Sequence, residues 1–268
     1  MTTFLHRAPS ILLHAARASM APGSPAGGAP ASAGPADPSL IEDLVAANRI
    51  LADQGVLDGY GHVSVRHPGN SGRYLLSRSL APELVTAGDI MEFDLDSNPV
   101  EERGRTMYLE RFIHGEIYKA RPDVKAVIHT HSPTVVPFSV SQTPLKPVIH
   151  VASFLWVGVP VFEIRDAAGP STDMLVRNAA IGRALATTLG DRPVALLRGH
   201  GNVIAAADIQ LAVRYAVYTE VNARIQAIAI ALGGPINYIS PGEGATRDKS
   251  PGDFERAWEL WKKKALAQ

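Results

Sequence analysis

No cysteine occurs in the 268-residue chain. That excludes a disulfide framework, a thiolate metal site and a cysteine nucleophile. Nor is there an excess of either charge, since 26 Lys and Arg balance 26 Asp and Glu. With that balance, and no long basic run interleaved with aromatics, the chain has no electrostatic footprint for nucleic acid or an anionic membrane. Long apolar runs are missing too. The longest, "AVIHTHSPTVVPF", is broken by His, Ser and Pro, so no segment reaches transmembrane length. What remains fits a cytoplasmic enzyme acting on a small molecule, with length for one large α/β domain or two small ones.

The start of the chain stands apart. "MAPGSPAGGAPASAGPADPS" is almost entirely Ala, Gly, Pro and Ser, which cannot bury enough apolar surface to offset the entropy of ordering. A disordered leader is therefore expected over residues 1–38. The preceding "FLHRAPSILLHAARA" has an apolar core too short and interrupted for a secretory signal. Residues 39–268 read as one domain that closes in a helical tail.

Within it, helical spacing of apolar residues appears over 37–57, 106–121, 173–189, 208–232 and 251–267, with Ser39 as a capping candidate for the first. Strands are expected at 61–68, 73–77, 90–95, 125–131, 160–164 and 193–201, and a loop over 242–249. Strands between terminal helices predict a single layered α/β domain without internal repeats.

Candidate chemistry starts at "AVIHTHSP". Side chains two apart in a strand share a face, so His129 and His131 should lie side by side. On that spacing alone a shared divalent metal and hydrogen bonds to loops or water are equally open. His200, between two glycines in "LLRGHGNV", sits where backbone approaches something closely, or merely in a glycine-rich turn. Glu110 lies in the helix ahead of the double-histidine strand. A helix-to-strand connection can carry it back over the strand end, or it can face solvent.

Taken together, Glu-x(18)-His-x-His followed by Gly-His-Gly resembles the class II aldolase and adducin-head superfamily in residue type, order and spacing. "G-x-V-S-x-R" (Gly61–Arg66) and "LVTAGDIMEFDLD" (Leu84–Asp96) resemble its early strands. The likeness runs from about Ser39 to Leu232. It implies a three-layer α/β/α domain with a central, largely antiparallel or mixed sheet. It also implies a homotetramer or higher homo-oligomer with sites between subunits. It implies one divalent metal per chain, zinc first, with manganese, cobalt or iron compatible. His129, His131 and His200 would hold that ion, and Glu110 would stand at the catalytic acid/base position.

Departures from the sugar-phosphate aldolases of this superfamily shape the expected substrate. Their Gly-Asn-x-Ser motif carries His62 in place of Asn. The phosphate loop reads "SRSL", with Leu80 in place of Gly, and Tyr108 and Leu109 replace two serines. A phosphate needs converging donors, so a non-phosphorylated substrate is expected. Arg78 has a fork suited to a carboxylate. Tyr108 offers a wall for a flat acid, and Ser79 and His62 complete the expected substrate contacts. His150 falls where the aldolases place a tyrosine that donates a proton to a neighbouring subunit's site. His114, one turn after Glu110, could orient it or face solvent.

The resemblance extends to the aromatic-catabolism branch, which includes 2-hydroxy-3-carboxymuconate semialdehyde and 3,4-dihydroxyphthalate decarboxylases. The expected function is thus metal-dependent decarboxylation of an aromatic or ring-cleavage acid through a metal-stabilised enolate, with Glu110 or His150 protonating carbon. Alternatives are a retro-aldolase on a non-phosphorylated hydroxy-oxo acid and a non-catalytic, adducin-like assembly domain.

Overall fold

The computed structural model describes residues 29–249 and 254–267. Seven strands form one sheet in the order β3-β2-β1-β4-β7-β6-β5. They are β1 (His62–Arg66), β2 (Arg73–Ser77), β3 (Ile90–Asp94), β4 (Ala126–Thr130), β5 (Val161–Phe162), β6 (Val194–Leu197) and β7 (Gly201–Ala206). Every neighbouring pair is antiparallel except β5 and β6, so the sheet is mixed and largely antiparallel, as expected.

The strands alternate their side chains between two cores. Val63, Val65, Leu75, Ala126, Ile128, Val194 and Ile204 pack on helices α1 (Pro38–Asp53), α6 (Ile209–Leu232) and α8 (Glu255–Leu266). Tyr74, Leu76, Val127, Ala195, Val203 and Ala205 pack on α2 (Phe112–Ala120) and α5 (Ala179–Leu189). This period of two, apolar on both faces, is what a sheet sandwiched between helical layers requires. Short helices α3 (Val136–Val140) and α4 (Ile164–Ala168) and helix α7 (Pro241–Lys249) fill the connections. Among the described residues no helix is long and apolar enough to cross a membrane.

Four expectations change. The strand drawn through 193–201 is a hairpin: β6 stops at Leu197, a turn carries Arg198 to His200, and β7 returns from Gly201. The loop expected at 242–249 is part of α7. Gly244 is needed there for contact rather than flexibility, because a Cβ would lie 2.4 Å from the Trp156 ring. The first helix is capped by Asp37, which accepts from the Ser39 amide with Pro38 in the first turn; proline's missing N–H costs nothing at that position. Finally, the leader's last stretch belongs to the domain. The Ala31 carbonyl accepts from Arg73, and Ser32 and the Ala33 amide donate to Glu92. Residues 1–28 of the expected leader lie outside the described residues.

Candidate metal centre and active-site cavity

Strand register gathers the histidines. His62 on β1 pairs with His129 on β4, and His129 pairs with Val203 on β7. Just beyond β4, His131 comes beside His129, with their Nε2 atoms 3.2 Å apart. The β6–β7 turn brings His200 Nε2 to 3.0 Å from His131 Nε2. That turn can close on the end of β4 only because residue 201 is glycine: a Cβ there would stand 1.8 Å from the Thr130 carbonyl oxygen. Glu110 is not inside a helix. It occupies a 3-10 turn, Leu109–Arg111, just before α2, which aims its carboxylate back over the end of β4. Oε2 lies 3.5 Å from both His129 and His200 Nε2, and Oε1 accepts from the Val176 amide at 2.9 Å.

The donor set fits a divalent cation. His129 Nδ1 donates to the Asn202 carbonyl at 3.2 Å, so in the neutral ring the Nε2 lone pair faces His131 and His200. Burial, then His129 and His200, push the His131 pKa down to about 4, so its imidazole is neutral and able to ligate near neutral pH. Lone pairs turned on one another repel unless something positive lies between them. Nitrogens bound to one zinc at about 2.0–2.1 Å sit about 2.9–3.4 Å apart, the spacing found here. One ligand atom from each of Glu110, His129, His131 and His200 lies within 4.8 Å of the others. Burial raises the Glu110 pKa, but His129 and His200, when they carry protons on Nε2, outweigh it and hold the carboxyl well below its ordinary range; a divalent cation in place of those protons acts in the same direction.

A cavity of about 470 Å³ opens beside the cluster, with Glu110 and His131 in its wall. Tyr60, Leu80, Met107, Tyr108, Leu109 and Leu175 also line it, with His62 and Ser79. Neither Lys nor Arg is among the lining residues.

The expected substrate contacts are thus sorted. His62, Ser79 and Tyr108 line the cavity, and Arg78 does not. Arg78 is ion-paired through Nε to Asp89 at 2.6 Å, and Asp89 also closes a capping box with Thr86. Its charge is engaged with a neighbouring turn. Tyr108 keeps its aromatic wall, with its ring 4.5 Å from that of His62. Its hydroxyl, however, donates to the Leu80 carbonyl at 2.5 Å and holds the 77–80 loop closed. His150 is exposed at the start of a 3-10 segment, His150–Val157. It borders a different depression with Arg214 and Tyr218, so this chain does not bring it to its own cluster. His114 neither faces solvent nor touches Glu110; it is fully buried and bonded to His62 and Ser64.

Asn202, which sets the His129 tautomer, and the apolar wall residues Tyr60, Met107 and Leu175 were not singled out from the sequence. Asn202, directly after the Gly-His-Gly motif, carried some signal. Isolated apolar side chains carry none.

The chain is 34% identical over 244 residues to decarboxylase tropJ of Talaromyces stipitatus, with 82% of this chain and 92% of the relative covered. It is 32% identical to a 3,4-dihydroxyphthalate decarboxylase of Arthrobacter keyseri, covering 81% and 90%. Among solved structures, the L-fuculose 1-phosphate aldolase of Glaciozyma antarctica PI12 superposes with a TM-score of 0.68 at 26% identity, covering 85% of this chain and 87% of that one. The family model for the class II aldolase and adducin N-terminal domain matches residues 42–227, and to that family this chain belongs.

Proposed function

We propose that the protein is a metal-dependent carboxy-lyase acting on a non-phosphorylated aromatic acid with vicinal oxygens, of the dihydroxyphthalate kind. The observation that carries this reading is the convergence of Glu110, His129, His131 and His200 beside an aromatic and aliphatic cavity without a lysine or arginine. Relatives named as decarboxylases support the direction of the chemistry. The retained donor set speaks against a purely assembling domain.

His129, His131 and His200 would hold the ion, zinc first, with Glu110 at its edge. When bound, the ion supplies a Lewis acid that lowers the cost of negative charge on substrate oxygens. The chain's own residues do the rest. Glu110 rests ionised, so Oε2 first acts as a base and takes a phenolic proton. The carboxylate then leaves as carbon dioxide, its bonding electrons pass to the ring carbon, and Oε2 returns the same proton there. The product phenolate regains its proton from solvent on release. Tyr108, Leu80 and Leu175 exclude water from that carbon.

Assembly as a homo-oligomer is part of the proposal. Tyr60 and Leu109 are 71% and 58% exposed at the cavity wall, and exposed His150 fits a role toward a neighbouring subunit better than toward its own.

The test is carbon dioxide release from 3,4-dihydroxyphthalate by zinc-loaded protein, with aldehyde and pyruvate release from a non-phosphorylated hydroxy-oxo acid assayed in parallel. Carbon dioxide in step with substrate loss supports the proposal. Pyruvate or an aldehyde from a hydroxy-oxo acid, without carbon dioxide, replaces it with the retro-aldol reading.

A further inference from the structure

A chain of buried polar groups leads away from the cavity and has no part in holding the metal ligands. His62 Nδ1 lies 2.6 Å from His114 Nε2. His114 Nδ1 lies 2.6 Å from Ser64 Oγ, and Ser64 Oγ lies 2.8 Å from the Tyr118 hydroxyl. All four side chains are buried. They come from alternate positions of β1 and one face of α2, so the fold rather than a mobile loop sets their spacing. Among the described residues His62 Nε2 has no partner, and it is not among the sealed, unpartnered atoms. It therefore opens onto the cavity that His62 lines.

Four neutral groups joined by three hydrogen bonds allow two directions of donation. In one, His62 donates inward to His114, His114 to Ser64 and Ser64 to Tyr118. The phenol proton is then left without an acceptor, or Tyr118 donates to Ser64 and the Ser64 proton is left with the Val127 carbonyl at 3.5 Å, at the limit of a hydrogen bond. A stranded buried donor is costly. In the other direction Tyr118 donates to Ser64, Ser64 to His114 Nδ1, and His114 Nε2–H to His62 Nδ1. Every proton finds an acceptor, and His62 Nε2 carries an N–H aimed at the cavity.

The chain is not a proton reservoir. Delivering its far proton would leave a tyrosinate, and burial pushes the Tyr118 phenol far above its ordinary value. With Nδ1 accepting from His114, the His62 ring carries one proton, on Nε2. An uncharged donor suits decarboxylation. An arginine would stabilise the very carboxylate charge that disappears in the reaction, and so would favour the ground state over the transition state.

We propose that His62, oriented by His114 and Ser64, is a fixed hydrogen-bond donor that selects substrates bearing a carboxylate beside the metal-directed oxygens, with His114 and Ser64 as positioning residues acting through it. This rests on the cavity being the active site.

The test compares binding of catechol and 2,3-dihydroxybenzoate to zinc-loaded protein by calorimetry, with zinc content measured for every variant. The two ligands share vicinal hydroxyls and differ by one carboxylate. Wild type should prefer the acid by about 10- to 100-fold, the range for a hydrogen bond to a charged acceptor. His62→Leu should lose about tenfold or more of that preference while zinc content and catechol affinity hold, whereas His62→Gln, whose amide can place a donor near Nε2, should keep most of it. Ser64→Ala frees His114 to carry its proton on either nitrogen and should cut the preference severalfold. Tyr118→Phe leaves the Ser64 hydroxyl free to donate to His114 and should not change it, although it removes an equally buried group. An unchanged preference in His62→Leu, or a parallel loss in Tyr118→Phe and Ser64→Ala, overturns the proposal. If zinc-loaded wild type binds neither ligand, the active-site reading itself falls, an outcome separable from the other two.

Discussion

Gly201→Ala should loosen the metal centre without touching a ligand. The new Cβ would lie 1.8 Å from the Thr130 carbonyl oxygen, 2.9 Å from its carbon and 3.1 Å from His131 Cα. Backbone on two paired strands cannot swing aside like a side-chain tip, so β4 and the β6–β7 turn must separate by roughly 1 Å or more before the contact is tolerable, given that carbon–oxygen contacts sit near 3.3 Å. Overpacking of this kind costs about 1–3 kcal/mol, and each ladder hydrogen bond stretched adds about 1 kcal/mol. With one ladder bond stretched the total, about 2–4 kcal/mol, is within the stability of an ordinary domain, so the variant should fold with its Tm lowered by about 10 °C. The same movement pulls His200 from its 3.0 Å approach to His131. Zinc affinity should fall about 10- to 100-fold, as when the support of a ligand is lost. Competition against a chromophoric chelator measures the affinity, and thermal unfolding measures the rest. Gly199→Ala is the control. It has positive φ, but its nearest contact is the flexible end of Met174 at 3.2 Å, so its cost should be nearer 1 kcal/mol. Wild-type Tm and zinc affinity in Gly201→Ala would refute the reasoning, because the turn would then not be seated against β4 as described.

Wild type should hold about one metal per chain, and His129→Ala and His200→Ala should each lose it in metal analysis after dialysis. Glu110→Gln should keep metal while turnover drops about 10²–10⁴-fold; an unchanged rate removes Glu110 from proton transfer. His114 offers a pH test on chelator-treated protein. Burial, above all, pushes its pKa down to about 3, so the unfolded chain binds its proton near pH 6.5 and the folded chain does not. Its contribution is thus fully present above pH 6.5 and lost as pH falls toward 3, by up to about 1.4 kcal/mol per unit. Urea midpoints should drop between pH 7 and pH 5 in wild type, and His114→Asn should flatten that slope.

How much of this was legible can be traced to particular residues. β1 to β4 and the long helices announced themselves because their apolar side chains repeat at the period of their element. The three converging histidines were visible through His-x-His and Gly-His-Gly, whose spacing reflects a strand end and a hairpin. β7 was hidden because "GNVIAA" follows the turn with no polar break before the cap of α6 at Asp208. The Arg78 ion pair was not legible because its partner lies eleven residues on, in a turn whose Thr-x-x-Asp signature was visible but whose position against Arg78 was not. His114 looked like an accessory to Glu110 by helical spacing. The 3-10 turn at Glu110 breaks that spacing and sends the two side chains to different partners.

The cluster and the cavity wall come from different parts of the fold, and this sets how the protein can change. Three of the four gathered groups are pinned by a central strand or by the hairpin seated against it, where one added methyl group meets backbone. The wall comes from connections: residues 59–61 before β1, 79–81 after β2, 107–109 before α2, and Leu175 before α5. Loops tolerate substitution far better than packed strands. A descendant could therefore trade substrates by exchanging short connecting segments while inheriting its reactive core untouched, and the fold works as a fixed socket with replaceable jaws.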